Sequence, residues 1–263
     1  MINLLLIGAG RFGQNYINTL KDRRDIKLIV ATKSNWQSLI DEKPNGVIVA
    51  TQPEYHIEIA THALQYNIPA MIEKPLALSL KEAETLKQFS APILVNHIDM
   101  FSKRYEEIKQ NIVSNRIAHI WTCLTRNAID RPTKSYSELW DYSPHSLAMI
   151  LDLSSSSTNL QLPTKVECVN FHPRNYNITL TFDHFATNTI VGASNMNARY
   201  LEVCDGKTYI NDEMTMPDLP LTNALQVFIN AINGKDDYRL GLDLTLKVLD
   251  ILEKCEESMR ASA

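Results

Sequence analysis

Residues Ile2-Asn3-Leu4-Leu5-Leu6-Ile7-Gly8-Ala9-Gly10-Arg11-Phe12-Gly13 decide the fold of this chain. Ile2–Ile7 is almost continuously apolar, as a strand buried on both faces must be. Three glycines in the spacing G-x-G-x-x-G follow at once and lead into a helical pattern over Phe12–Leu20. Gly8 permits the tight turn, Gly10 lets the backbone approach a pyrophosphate, and Gly13 allows close packing of helix on strand. The amides of Arg11 and Phe12 at the helix start can face phosphates. Alone, such a motif also fits a plain tight turn or the nucleoside site of a methyl donor. Directly after a first strand, it points to a dinucleotide.

The residues that follow repeat the alternation. Ile26–Ala31, Gly46–Ala50, Ala70–Ile72 and Ile93–Val95 read as further strands, with a helix over Glu54–Tyr66 between two of them. Ser79-Leu80-Lys81-Glu82 reads as a capping box opening another helix. Apolar strands separated by amphipathic helices predict a doubly wound α/β domain with a parallel sheet. Beyond about Asn115 the pattern changes. Ile117–Thr125, Lys165–Phe171, Tyr176–Phe182, Thr187–Ala193 and Tyr200–Cys204 read as strands with few helices between them, which predicts a largely antiparallel, open sheet. Helices are expected over Pro144–Leu153 and Leu242–Met259, and Ser154–Ser157 as a loop. The expected division is 1–116, a nucleotide-binding Rossmann domain, and 117–263, an α+β domain for substrate and oligomer contact.

Composition narrows the partners. A net charge of −4 and a pI near 6.0 argue against nucleic acid. No apolar run approaches the roughly 20 residues a membrane span needs. The first residues carry no basic segment and no small-residue cleavage site, so the expectation is a strand that begins at once in a cytoplasmic protein. Cys123, Cys168, Cys204 and Cys255 are scattered without C-x-x-C spacing and are expected as reduced thiols, with no metal site.

The ends of the strands carry the candidate chemistry. The second strand runs into Thr32-Lys33-Ser34, with no acid before Asp41. A carboxylate there would hold a ribose 2′-hydroxyl, whereas a lysine flanked by hydroxyls suits a 2′-phosphate. NADP is therefore preferred over NAD; the alternative is a solvated loop lysine. Thr51-Gln52-Pro53-Glu54-Tyr55-His56 follows the third strand, where His56 either lines a cofactor cleft or packs on the helix it begins. Glu73-Lys74-Pro75 follows the fourth strand on the same rim. A lysine there can hydrogen-bond a substrate oxygen and move a proton, and the proline after it can be cis. An arbitrary Glu-Lys pair would be a surface ion pair. In Asp141-Tyr142-Ser143-Pro144-His145, Ser143 suits an N-cap and Pro144 a first helical position. His145 would then sit in a first turn whose positive end keeps its imidazole neutral. The alternative is a plain helix start with His145 packed.

Taken together, Gly8–Gly13, Gly46–His56 and Glu73-Lys74-Pro75-Leu76-Ala77, ending in Phe101-Ser102-Lys103-Arg104-Tyr105, resemble the glucose–fructose oxidoreductase/inositol dehydrogenase/MocA (Gfo/Idh/MocA) family over most of residues 1–105. The resemblance implies a Rossmann domain followed by an open antiparallel sheet often used for oligomer contact, hence a homodimer or homotetramer. It implies an NAD(P)-dependent oxidoreductase acting on a secondary alcohol or ketone of a sugar, cyclitol or nucleotide-sugar. Lys74 and the pair Asp141 and His145 match the family's catalytic positions. Glu73 joins Gly8, Gly10, Arg11, Phe12, Gly13, Thr32, Lys33, Ser34, Thr51, Gln52, Pro53, His56 and Lys74 as cofactor-side residues, and Asn96, His97 and Arg126 are expected to border the substrate. Leu139-Trp140 stands where many members carry glycines, and Ile117-Ala118 replaces the usual Ile-Gly. The short C-terminal part is expected to leave a shallow pocket that would accept a carrier-linked sugar or an imine. An NADP-binding sensor without turnover, and a lyase or glycosidase that uses the nicotinamide transiently, are the other classes; a methyltransferase would leave Lys74 without a role.

Overall fold

The computed structural model describes residues 1–114, 123–128, 134–155, 161–183, 185–193, 198–203, 207–210 and 219–262. The chain divides into two units, Met1–Ile98 with Leu221–Leu246, and Asp99–Pro220 with Lys247–Ala263. The boundary expected at 116/117 lies outside the described residues.

The first unit is built on β1 (Ile2–Ile7), β2 (Ile26–Ala31), β3 (Gly46–Val49), β4 (Ala70–Ile72) and β5 (Ile93–Val95), all parallel in the order β2-β1-β3-β4-β5. β3, β4 and β5 are buried at every position, which is why they read as unbroken apolar runs. Between the strands run α1 (Arg11–Leu20), α2 (Trp36–Asp41), α3 (His56–Gln65) and α4 (Leu80–Glu84). The expected helix over Glu54–Tyr66 is split: Pro53–Tyr55 is a 3₁₀ turn and α3 starts at His56. Ser79 caps α4, its hydroxyl accepting from the Glu82 amide at 3.2 Å. Strand order reverses between β1 and β3, the switch point at which such sheets take ligands beyond their carboxyl ends.

A helix that the sequence reading did not anticipate, α7 (Pro220–Ile232), belongs to this unit from Leu221 on. Ile232 and Phe228 lie so close to Gly46 on β3 that a Cβ there would meet their side chains at 2.6 and 3.0 Å.

The second unit holds α5 (Lys103–Ser114), β6 (Cys123–Ala128), α6 (Glu138–Ser154), β7 (Lys165–His172), β8 (Asn175–Thr181), β9 (Ala186–Ala193), β10 (Ala198–Val203), β11 (Lys207–Ile210) and most of α8 (Asp243–Ala261). The sheet runs β11-β10-β6-β9-β8-β7. Every pair is antiparallel except β6 with β9. α6 packs on β9 and β8, whose Tyr176, Ile178, Leu180 and Val191 are buried. Val169 and Phe171 on β7 are each 55% exposed, so the sheet is open there, as expected. Tyr105 and Lys109 of α5 tie to Asp152 of α6 at 2.6 and 2.8 Å.

α6 corrects the reading of its N-terminus. It begins at Glu138 with Ser137 as N-cap, so Pro144 is internal and Ser143 caps nothing. Proline at 144 has no N–H for the Trp140 carbonyl, a loss that an exposed helix would feel at about 3 kcal/mol. Here residues Leu139–Ser154 are all buried, and tertiary packing outweighs the local preference. The sign overlooked was Ser137 followed by Glu138 and Asp141, an N-cap with acids in the first turn.

Candidate active site

The carboxyl ends of the five parallel strands bring the first unit's candidates to one rim. Gly8 follows β1 with φ +104, a conformation that favours glycine, and a Cβ there would lie 2.4 Å from the Ala50 carbonyl oxygen. A Cβ on Gly13 would lie 2.0 Å from the Gly8 carbonyl. These two glycines are required by the protein's own packing. Gly10 differs: it is the N-cap of α1, and a Cβ there would meet nothing within 4 Å. Its open face fits a group that needs close backbone approach. Arg11 is exposed and no acid lies in the first turn of α1, so nothing offsets the positive helix end. This is the arrangement a pyrophosphate would use.

Thr32, Lys33 and Ser34 are exposed just past β2. Asn35 Oδ1 accepts from the Thr32 amide at 2.7 Å and from its hydroxyl at 2.8 Å, and the Thr32 and Ser34 hydroxyls are 3.2 Å apart. Lys33 Nζ stands 5.6 Å from the centroid of the Tyr55 ring. Tyr55, which sequence reasoning passed over, thus stands beside the expected phosphate lysine.

Past β3, Thr51 and Gln52 are half-buried and exposed respectively, and Pro53 is buried. His56 is wholly buried rather than open to a cleft, with Nδ1 2.9 Å from the Pro75 carbonyl and Nε2 3.2 Å from the Thr51 carbonyl. Burial pushes its imidazole below the ordinary range despite both carbonyls. A neutral ring donates from one nitrogen only, so His56 ties the Thr51 loop to the Lys74–Pro75 turn at the cost of one imperfect contact. The Lys74–Pro75 peptide is cis.

Glu73 points inward, 6% exposed, and Lys74 is half-buried. Tyr16 Oη donates to Glu73 Oε1 at 2.6 Å, and Asn96 Nδ2 donates to the same oxygen at 2.7 Å. Asn96 was expected beside a substrate, yet it is fully buried with its amide committed to this cluster. His97 is buried as well, Nε2 lying 3.1 Å from Thr245 Oγ1. Both are buried rather than open to a pocket. The side chain of Arg126 lies outside the described residues.

In the second unit, Asp141 and His145 share α6 four residues apart, on one helical face, both buried. His145 lies seven positions beyond the first residue of α6, roughly 10 Å along the axis, so the helix-end argument for its neutrality fails. Asp141 lies in the first turn and pairs with Lys134 Nζ at 2.7 Å. No group of three or more metal-ligating side chains occurs among the described residues. Nor is any described helix long and apolar enough to cross a membrane.

Comparison with known proteins bears on this arrangement. The family model for Gfo/Idh/MocA, "Oxidoreductase family, NAD-binding Rossmann fold", matches residues 27–91. No curated protein matches the chain. Among solved structures, a putative oxidoreductase from Magnetospirillum magnetotacticum is similar over 97% of this chain and 99% of its own, with 25% identity and a TM-score of 0.77. UDP-N-acetylglucosamine 3-dehydrogenase from Acidithiobacillus ferrooxidans shares the fold at 15% identity and TM-score 0.81, covering 99% and 98% of the two chains. The scyllo-inositol dehydrogenase of Lactobacillus casei, solved with NAD(H) and scyllo-inositol, does so at 12% identity and TM-score 0.80, covering 100% and 98%.

Proposed function

The chain being an NAD-binding oxidoreductase of the Gfo/Idh/MocA family, by the match over residues 27–91 and by its fold, we propose that it exchanges a hydride between NADP and a secondary alcohol or ketone of a sugar, cyclitol or nucleotide-sugar. The observation that carries this reading is the rim itself: the open Gly10 turn, the Thr32–Ser34 edge and Lys74 stand past the carboxyl ends of β1, β2 and β4 of one parallel sheet.

The nicotinamide, when bound, supplies the hydride chemistry; the chain supplies position, charge and a proton. The amides of Arg11, Phe12 and Gly13 hold the pyrophosphate. Thr32, Lys33 and Ser34 hold a 2′-phosphate, which the missing acid at the end of β2 leaves unopposed. Lys74 donates to the reacting oxygen and balances its developing charge. His145 takes or returns the hydroxyl proton, and Asp141 orients the catalytic groups. Exposed Val169 and Phe171 on the open sheet suit a homodimer or homotetramer.

The test is a fluorescence titration with NADPH and NADH in parallel, followed by a screen of sugars, cyclitols, nucleotide-sugars and imines with the better cofactor. Binding of NADPH well below millimolar with turnover of a polyol or its ketone is expected. Failure of both dinucleotides to bind overturns the reading.

A further inference from the structure

Two acids stand in the first turn of α6, and each has a cation from another part of the second unit. Glu138 pairs with Arg174, from the turn between β7 and β8. Asp141 pairs with Lys134, which precedes the N-cap Ser137, Nζ lying 2.7 Å from Oδ2. That separation is in the range of a charge-assisted hydrogen bond. The same amine donates to Tyr136 Oη at 3.0 Å and stands 5.1 Å from the centroid of that ring. Lys134 is thus held in place rather than trailing in solvent.

The pair is lopsided. The side chain of Lys134 is 38% exposed and that of Asp141 only 6%. An exposed ion pair contributes little, because water solvates both partners whether or not they meet. A carboxylate folded out of water is costly without a partner, and it relieves that cost by taking up a proton. Asp141 therefore depends on Lys134 far more than Lys134 depends on Asp141. The positive end of α6 also favours the anion, but a full charge at 2.7 Å outweighs the fractional charge there. Glu138 would oppose it, and Arg174 occupies that carboxylate.

Asp141 and His145 share one face of α6 a single turn apart, so the charge state of the first is felt by the second. An ionised Asp141 stabilises the positive charge that His145 gains on taking a hydroxyl proton; a protonated Asp141 does not. We propose that Lys134 is a positioning residue for the reaction, holding the Asp141 carboxylate ionised and fixed on the face of α6 that also carries His145. The inference rests on the proposed function for the use made of Asp141 and His145; the ion pair stands without it.

The test reads the carboxyl directly, by NMR of protein whose aspartates are isotope-labelled at the side-chain carboxyl carbon. The Asp141 resonance is assigned by its loss in Asp141→Asn and followed across the pH range in which the protein stays folded. Lys134→Met is expected to raise the midpoint of its titration by about one unit or more. Lys134→Arg keeps the charge and should leave the midpoint close to wild type. If Lys134→Met does not fold, Lys134→Gln, which keeps a neutral donor, is read in its place with the same expected direction. A midpoint that stays put in folded protein overturns the proposal, because a purely structural tie would lower the melting temperature without moving the titration. Titration of the wild type with NADPH and NADH keeps the two readings apart. A shifted midpoint without dinucleotide binding retains the hold of Lys134 on Asp141 and removes the proposed function, and intact binding with an unshifted midpoint does the reverse.

Discussion

The Tyr16 phenol donates to the Glu73 carboxylate across 2.6 Å, between residues 57 positions apart in the chain. Burial raises the affinity of Glu73 for its proton, so the unfolded chain releases that proton first as pH rises. Stability from this group therefore falls as pH climbs from the ordinary Glu range near ~4.3 toward the raised folded value. Urea midpoints between pH 4.5 and 8 should show this decline, and Glu73→Gln should flatten it. Identical slopes would mean that Glu73 titrates alike in both states.

The three glycines of the first turn should separate packing from binding. Gly8→Ala and Gly13→Ala drive a methyl into backbone at 2.4 and 2.0 Å. Each should cost at least about 1–3 kcal/mol and lower the melting temperature. Gly10→Ala meets open space and should leave the melting temperature nearly unchanged while weakening NADPH binding at least about tenfold, as a methyl intrudes on the pyrophosphate. Unaltered affinity in Gly10→Ala would place the phosphates elsewhere.

His56 gives the opposite pH signature to Glu73. Its folded-state affinity for a proton is lowered by burial, so acidification protonates the unfolded chain first. Stability should drop as pH falls below the ordinary His value of ~6.5. Thermal melts of wild type and His56→Gln at pH 7.5 and 5.5 check this; the variant should lose less on acidification, although it is less stable at pH 7.5.

Lys74→Met removes the amine but keeps the length of the side chain. Turnover should fall by at least about a thousandfold, with NADPH affinity within about threefold of wild type. Activity that survives this change excludes Lys74 from the reaction.

Lys33→Asp replaces the cation at the end of β2 with a carboxylate suited to a ribose hydroxyl. The NADPH/NADH affinity ratio should fall by about a hundredfold or more, through loss of one attraction and gain of one repulsion. A constant ratio would leave Lys33 as a solvated partner of the Tyr55 ring, from which it already stands 5.6 Å.

Much of the rim was legible because its signals are local. The glycine turn and the Lys74 motif each occupy a few consecutive residues, and β1, β2, β4 and β5 keep the limits expected from their apolar runs. The start of α6 was misread because Pro144 usually opens a helix; only the burial of Leu139–Ser154 explains its internal place. The parallel pairing of β6 with β9 had no local sign, since strand direction depends on partners distant in sequence.

The sequence alone determined the parallel nucleotide-binding domain and the order of its ligand-facing turns, because side-chain periodicity and turn stereochemistry act within a few residues. Tertiary structure decided what the polar residues behind that rim do. Residues 16, 73 and 96 form one buried cluster, His56 bridges two turns through their carbonyls, and Leu221–Leu246 joins the first unit. Those outcomes follow from desolvation: a polar group folded out of water must find a partner wherever the chain brings one, and no local pattern records where that is.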